Sequence, residues 1–197
     1  SPQGNIKLRV GATGFDAIKT VAARDMDAET AKQDTQYGNL IAPYTVAPFH
    51  DHYFNFRLDL DVDGNSNTLA RDVFEAKPVQ DAGGRTSIWT TKTQRFVKEG
   101  PIVSDHQAMS GQILRMTSPD KRNSLKQVPS LWLNAHHDAQ SILAPTDPPQ
   151  ARAQFSANQF WLTRYKPDEL WAAGLYPNLN PKDEGLPQFV ADGEDAA

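Results

Sequence analysis

The sequence has no cysteine among its 197 residues. That excludes disulfides, thiolate zinc sites, iron–sulfur clusters and a cysteine nucleophile, and it leaves the redox compartment open. Long apolar runs are missing as well: nothing approaches the roughly 18–20 uncharged apolar residues of a membrane-spanning helix. No basic stretch leads into an apolar one at the start, so no signal peptide is visible. A charge excess of the kind that marks nucleic-acid binders is also lacking, since 20 basic against 24 acidic residues leave −4. Gly-x-Ser-x-Gly, P-loop and dinucleotide fingerprints are absent, as are internal repeats and low-complexity tracts.

What is present suits a loop-rich β protein. Hydrophobic residues make up 39%, enough for a core, and the 14 prolines and 12 glycines are scattered rather than clustered. The length fits one large domain or two small ones, at ~100–200 residues per domain. The chain opens straight into an alternating stretch, Ile6-Lys7-Leu8-Arg9-Val10, and closes on the polar residues 191–197. The expectation is a piece of something longer, or one subunit of a processed protein.

Strands are expected over residues 5–11, 49–63, 69–76, 86–98, 111–118, 128–136 and 160–165. Residues 39–48 read as extended, and residues 22–32 as a short helix or an exposed loop. The turn Asp63-Gly64-Asn65-Ser66-Asn67 reads as the tip of a hairpin joining 49–63 to 69–76. Residues 145–149 and 176–187 are proline- and asparagine-rich loops. The sum is mostly β, a sandwich with long loops.

The chemistry concentrates in residues 50–63. Even positions are His50, His52, Phe54, Phe56, Leu58, Leu60 and Val62; odd positions are Asp51, Tyr53, Asn55, Arg57, Asp59, Asp61 and Asp63. Alternate side chains of a strand face opposite ways, so two histidines head an apolar face and three aspartates end a polar one. Imidazoles at i and i+2, ~6–7 Å apart along a strand, can converge on one ion with bonds of about 2 Å. Nitrogen ligands suit copper, zinc or iron, copper binding tightest of the divalent series. The alternative is two buried histidines satisfied by backbone carbonyls.

Asp59, Asp61 and Asp63 repel one another unless a cation or a basic side chain neutralises them, and hard oxygen ligands favour calcium. An EF-hand loop is excluded, because its twelfth position would be Ala70 where a bidentate glutamate is required. The alternative is a solvated acidic strand end beside Arg57. His136-His137-Asp138 offers at most one group to a given site, and His106 reads as a surface residue. Trp161, Tyr165 and Trp171 read as core or loop-packing aromatics.

The block Ala47-Pro48-Phe49-His50-Asp51-His52-Tyr53-Phe54-Asn55-Phe56-Arg57-Leu58-Asp59-Leu60-Asp61-Val62-Asp63-Gly64 resembles the copper-ligand strand of the copper amine oxidases, the topaquinone (TPQ) enzymes. The likeness continues in Val10-Gly11-Ala12-Thr13-Gly14, in Asn158-Gln159-Phe160-Trp161-Leu162-Thr163-Arg164-Tyr165, in Gly174-Leu175-Tyr176-Pro177-Asn178 and in Glu184-Gly185-Leu186-Pro187-Gln188-Phe189-Val190. The resemblance implies an all-β chain, part of the large β-sandwich catalytic domain of that family, normally dimeric. It implies Cu(II) held by His50, His52 and a third histidine. It implies a buried calcium ion on Asp59, the backbone of Leu60 and Asp61, and a peripheral Ca2+ site on Glu99, the Phe189 carbonyl, Asp192 and Glu194. The reaction implied is oxidative deamination of a primary amine by O2 to aldehyde, ammonia and hydrogen peroxide.

The chain also departs from the family pattern. The quinone forms from a tyrosine in an Asn-Tyr-Asp/Glu-Tyr motif, and none of the 5 tyrosines (Tyr37, Tyr44, Tyr53, Tyr165, Tyr176) sits in one. In family order that motif precedes Ser1, and the third copper histidine follows Ala197. Residues 1–197 therefore read as the central part of a single catalytic β-sandwich domain, incomplete without flanking chains. Companion polypeptides would carry topaquinone and the last histidine, in a heteromultimer. Family habit places it in the periplasm or outside the cell. Two other readings stand beside this one. A cupin-like metal dioxygenase would need a glutamate where Phe56 and Arg57 stand, and a calcium-binding β module would rest on Asp59, Asp61 and Asp63.

Overall fold

Strand formation follows β-branched and aromatic content wherever a neighbouring segment is there to pair with it. The computed structural model describes residues 4–80, 83–103, 111–133, 141–181 and 184–196. His106, His136, His137 and Asp138 lie outside these residues. The chain divides into two units, Ser1–Asn55 and Phe56–Ala197. No helix among the described residues is long and apolar enough to cross a membrane.

The first unit is a small antiparallel sheet. Its strands are β1 (Lys19–Thr20), β2 (Gly38–Ala42) and β3 (Thr45–Pro48), in the order β1-β3-β2, with the one-turn helix α1 (Ala31–Asp34) before β2. The β2–β3 turn is tight enough to hold Tyr44 at φ 60. Val46 in β3 and Ala23 and Ala31 beside it are buried. Gly38 is required in β2, because a Cβ there would strike the Ala47 carbonyl oxygen opposite. Asp34 ties helix to loop by accepting the Ala23 N–H at 2.8 Å.

The second unit holds the larger ladder. Its strands are β4 (Thr68–Pro78), β5 (Ser87–Phe96), β6 (Gly100–Ile102), β7 (Gln112–Thr117), β8 (Ser130–Leu133) and β9 (Phe160–Leu162). Four of them form an antiparallel sheet, β5-β4-β7-β8, and β6 pairs with β9 in a second one. Leu69 and Leu114 of the first sheet and Ile102 and Leu162 of the second form one buried cluster, edged by Phe96, Met116, Leu133 and Phe160. Burying each such large side chain contributes about 1.5–3 kcal/mol, so this cluster is what joins the two sheets. Two helical turns, α2 (Pro148–Arg152) and α3 (Leu186–Phe189), sit in the long segment around β9.

Several expectations change. Strands over 86–98, 111–118 and 160–165 form, somewhat shorter, as does that over 128–136 within its described part; residues 39–48 fold into the β2–β3 hairpin. No strand forms over 5–11, where Ile6 is 79% exposed, nor over 50–61. Alternation marks a face but does not supply the neighbour whose N–H and C=O groups complete a ladder. The hairpin expected around residues 63–67 is also replaced: β4 pairs with β5 and β7 instead. Tyr165 and Trp171 are exposed rather than packed inside. Trp161 does pack, with its Nε1–H donating to the Phe155 carbonyl at 2.9 Å.

Candidate metal centres

The histidine pair lies just past β3. The Phe49 N–H donates to the Tyr37 carbonyl at 2.9 Å, which sets the direction in which the chain leaves the hairpin. Next, the His50 Nδ1 lies 3.0 Å from the Pro48 carbonyl oxygen. A carbonyl oxygen only accepts, so Nδ1 carries the proton and the Nε2 lone pair of the neutral ring is left for another partner. Metal-binding imidazoles are oriented by this kind of bond. The His52 ring stands 4.7 Å away, centroid to centroid, at 76° to the first. Rings this close can each place a nitrogen ~2.0–2.1 Å from a common ion. These residues fit a copper ion.

The alternating stretch that follows is not buried. His50 and His52 are exposed, and Phe54, Phe56 and Leu58 are each about half exposed. The cause is that no strand forms over 49–63: without a partnered ladder the alternation creates no face to bury.

The acidic stretch has a different anchor. The Arg57 guanidinium donates to the Lys166 carbonyl at 3.1 Å and lies over the Tyr165 ring at 5.0 Å. Asp59 and Asp61 are exposed and Leu60 is half-buried. Asp63, at φ 55, turns the chain before Gly64, and Asn67 holds the turn by accepting the Val62 N–H at 3.0 Å. Among the described residues, Asp59 and Asp61 join no group of three carboxylates or imidazoles within reach of one ion.

Glu99, Asp192 and Glu194 do form such a group, with ligand oxygens all within 4.8 Å of one another. The backbone brings them together. The Glu99 N–H donates to the Glu194 carbonyl at 3.2 Å and the Ala196 N–H to the Val97 carbonyl at 3.0 Å, so the C-terminal residues run against the β5–β6 connection. Asp192 then folds the intervening turn by accepting the Glu194 N–H at 3.0 Å. Phe189 closes α3 three residues before Asp192, at a helix end whose carbonyls lack partners within the helix.

Glu99 is 8% exposed. Its Oε1 accepts the Arg164 N–H, while its Oε2 is buried with no hydrogen-bond partner. An orphaned buried carboxylate oxygen is costly, and a cation supplies what it lacks. Burial pushes the Glu99 carboxyl up; the Arg164 N–H opposes this, and a hydrogen bond shared with the Asp192 carboxylate, together with the Asp192 charge, reinforces it. Asp192 is held down at about 2, chiefly by its hydrogen bond from Lys166. That lysine is itself raised above the ordinary ammonium range, mainly by the same bond. Lys166 Nζ lies 2.6 Å from Asp192, 3.4 Å from Glu169 and 3.6 Å from Glu194. The group fits a hard divalent cation. Lys166, Arg164 and Glu169 were not legible as neighbours of this site, because Arg164 lies 65 residues from Glu99 and no local spacing links them.

The family model for the copper amine oxidase enzyme domain matches residues 1–197. A primary amine oxidase of Klebsiella aerogenes is 36% identical over 197 residues, 97% of this chain and 26% of that protein. A histamine oxidase of Arthrobacter globiformis is 29% identical over 98% of this chain and 27% of its own length. Among solved structures, a copper-containing benzylamine oxidase from Hansenula polymorpha superposes with TM-score 0.72 at 23% identity, over 81% of this chain and 25% of that one. The chain spans about a quarter of the length of the curated relatives it matches.

Proposed function

The chain belongs to the copper amine oxidase enzyme-domain family, and from that premise we propose that it supplies two copper-holding imidazoles, His50 and His52, to a primary-amine oxidase. The reaction is oxidative deamination of a primary amine to aldehyde, ammonia and hydrogen peroxide. One observation carries the reading: the His50 Nδ1–H bond to Pro48, which leaves Nε2 for a metal beside the His52 ring. A copper ion held by His50 and His52 would supply the oxygen-handling redox chemistry. This chain's own part is to bring two imidazoles side by side, one of them oriented by its Nδ1 bond to the Pro48 carbonyl.

In this proposal residues 1–197 are the central part of one catalytic β-sandwich. Sequence outside residues 1–197 carries topaquinone and the third copper histidine, and the catalytic domain pairs as a dimer in the periplasm or outside the cell. Asp59, the Leu60 carbonyl and Asp61 hold a buried calcium ion together with residues outside the chain. Glu99, the Phe189 carbonyl, Asp192 and Glu194 hold a peripheral one. The calcium-binding reading is thus contained in this one, and the cupin-like dioxygenase has no observation in its favour.

The test is His50→Ala in the natively assembled protein. Copper content, measured by mass spectrometry of the metal, should fall to background, and amine-dependent peroxide release should go with it. Retention of full copper and of quinone absorbance would overturn the assignment.

A further inference from the structure

Lys166 stands between two carboxylate groups that both have an open coordination. Its ammonium lies 2.6 Å from Asp192, 3.6 Å from Glu194 and 3.4 Å from Glu169 Oε1. Two carboxylate oxygens of these groups are buried and unpartnered, Glu99 Oε2 in the three-carboxylate group and Glu169 Oε2 on the lysine's other partner. An ammonium and a divalent cation carry like charge and would share the oxygens of Asp192 and Glu194. They cannot both sit on them without strong repulsion.

We propose that Lys166 competes with a divalent cation for the oxygens of Asp192 and Glu194, and that Glu169 is the berth that receives its ammonium when the ion takes them. This rests on the reading of Glu99, Asp192 and Glu194 as cation ligands, and adds what governs their occupancy. The exchange satisfies both orphaned oxygens at once: the ion reaches Glu99 Oε2 and the ammonium reaches Glu169 Oε2. Charge balance agrees. Glu99, Glu169, Asp192, Glu194 and Asp195 face Lys98, Arg164 and Lys166, which leaves the two negative charges that one divalent ion neutralises. Glu169 lies three residues along from Lys166 and its side chain is 16% exposed, so the berth is close and partly shielded from solvent.

Calcium chloride titrated calorimetrically into the native copper-loaded protein tests this, with Glu99→Gln giving the baseline from calcium bound elsewhere. Lys166→Gln should tighten calcium binding by about tenfold or more, since it removes the competing charge. Glu169→Gln should weaken binding several-fold by removing the berth, and should have no effect in a Lys166→Gln background. Unchanged or weaker binding in Lys166→Gln, with calcium still bound by the unaltered protein, would overturn the competition and leave the ligand assignment standing. If neither protein binds calcium above the Glu99→Gln baseline, the ligand assignment fails and the competition with it. Crystal structures of the unaltered protein with and without calcium read the exchange independently of any variant. The Lys166 Nζ should leave Asp192 and bond Glu169 in the calcium form, and an ammonium still on Asp192 there would refute the idea.

Discussion

Asp72 shows how one residue can tie three strands together. It sits within β4, and its carboxylate accepts from Arg115 on β7 at 2.6 Å and from the Thr93 hydroxyl on β5. Both partners are placed by register: Thr93 is directly opposite, and Arg115 is diagonal, since it faces Ala70. Burial pushes the Asp72 carboxyl up, but the hydrogen bonds from Arg115 and Thr93 and the Arg115 charge outweigh it and hold the group below its ordinary range. Asp72→Ala should therefore destabilise the protein by about 1–3 kcal/mol near neutral pH, measured by thermal unfolding. A lowered folded-state pKa gives stability that is present above the unfolded value, about 3.9, and is lost as pH falls through the folded one. The difference in melting temperature between Asp72→Ala and the unaltered protein should narrow below about pH 4. A constant gap down to pH 2 would show that packing, not the ion pair, is what the substitution removes.

At the scale of elements, the connection of two loops decides where the acidic group stands. Gly174 and Gly185 both have positive φ, 78 and 83, and lie against each other. The Leu186 N–H donates to the Ala172 carbonyl at 3.0 Å, and Asn180 bonds the Arg152 and Ala173 carbonyls at 3.2 Å each. A Cβ on Gly185 would strike the Ala172 carbonyl oxygen and come within 2.5 Å of the Gly174 nitrogen. Gly185→Ala should cost about 1–3 kcal/mol through backbone strain alone, and more through the clash. It should also weaken calcium binding, because α3 leads directly into Asp192. Gly193 is the control: its φ is 69 but nothing lies within 4 Å of a Cβ there. Gly193→Ala should show the strain without the clash, and equal losses at both positions would refute the packing argument.

For the whole molecule, exposed apolar surface is the governing fact. Trp89, Trp132 and Trp171 are 73%, 66% and 59% exposed. Phe54, Phe56 and Leu58 are each about half exposed. So many large apolar side chains in the open suit a chain that lies against further protein surface. Intact-mass analysis of the native material, with phenylhydrazine labelling of its carbonyl cofactor, should find further polypeptide sequence accompanying residues 1–197, with the label on that further sequence. Label on a peptide within 1–197, or activity from that segment alone, would overturn the proposed division of the catalytic domain.

The sequence alone determined the β class, most of the strands of the second unit, and which residue types are candidates to hold a metal. Those features are local: strand propensity, and two imidazoles two residues apart, can be read wherever they stand. Tertiary structure decided which strands had neighbours, and so denied a ladder to the most strongly alternating segment of all. It also decided that Lys166 and Glu169 belong beside Glu99, Asp192 and Glu194. Charges from distant parts of a chain become one electrostatic unit only when backbone pairing, here Glu99 with Glu194, brings them within a few ångströms.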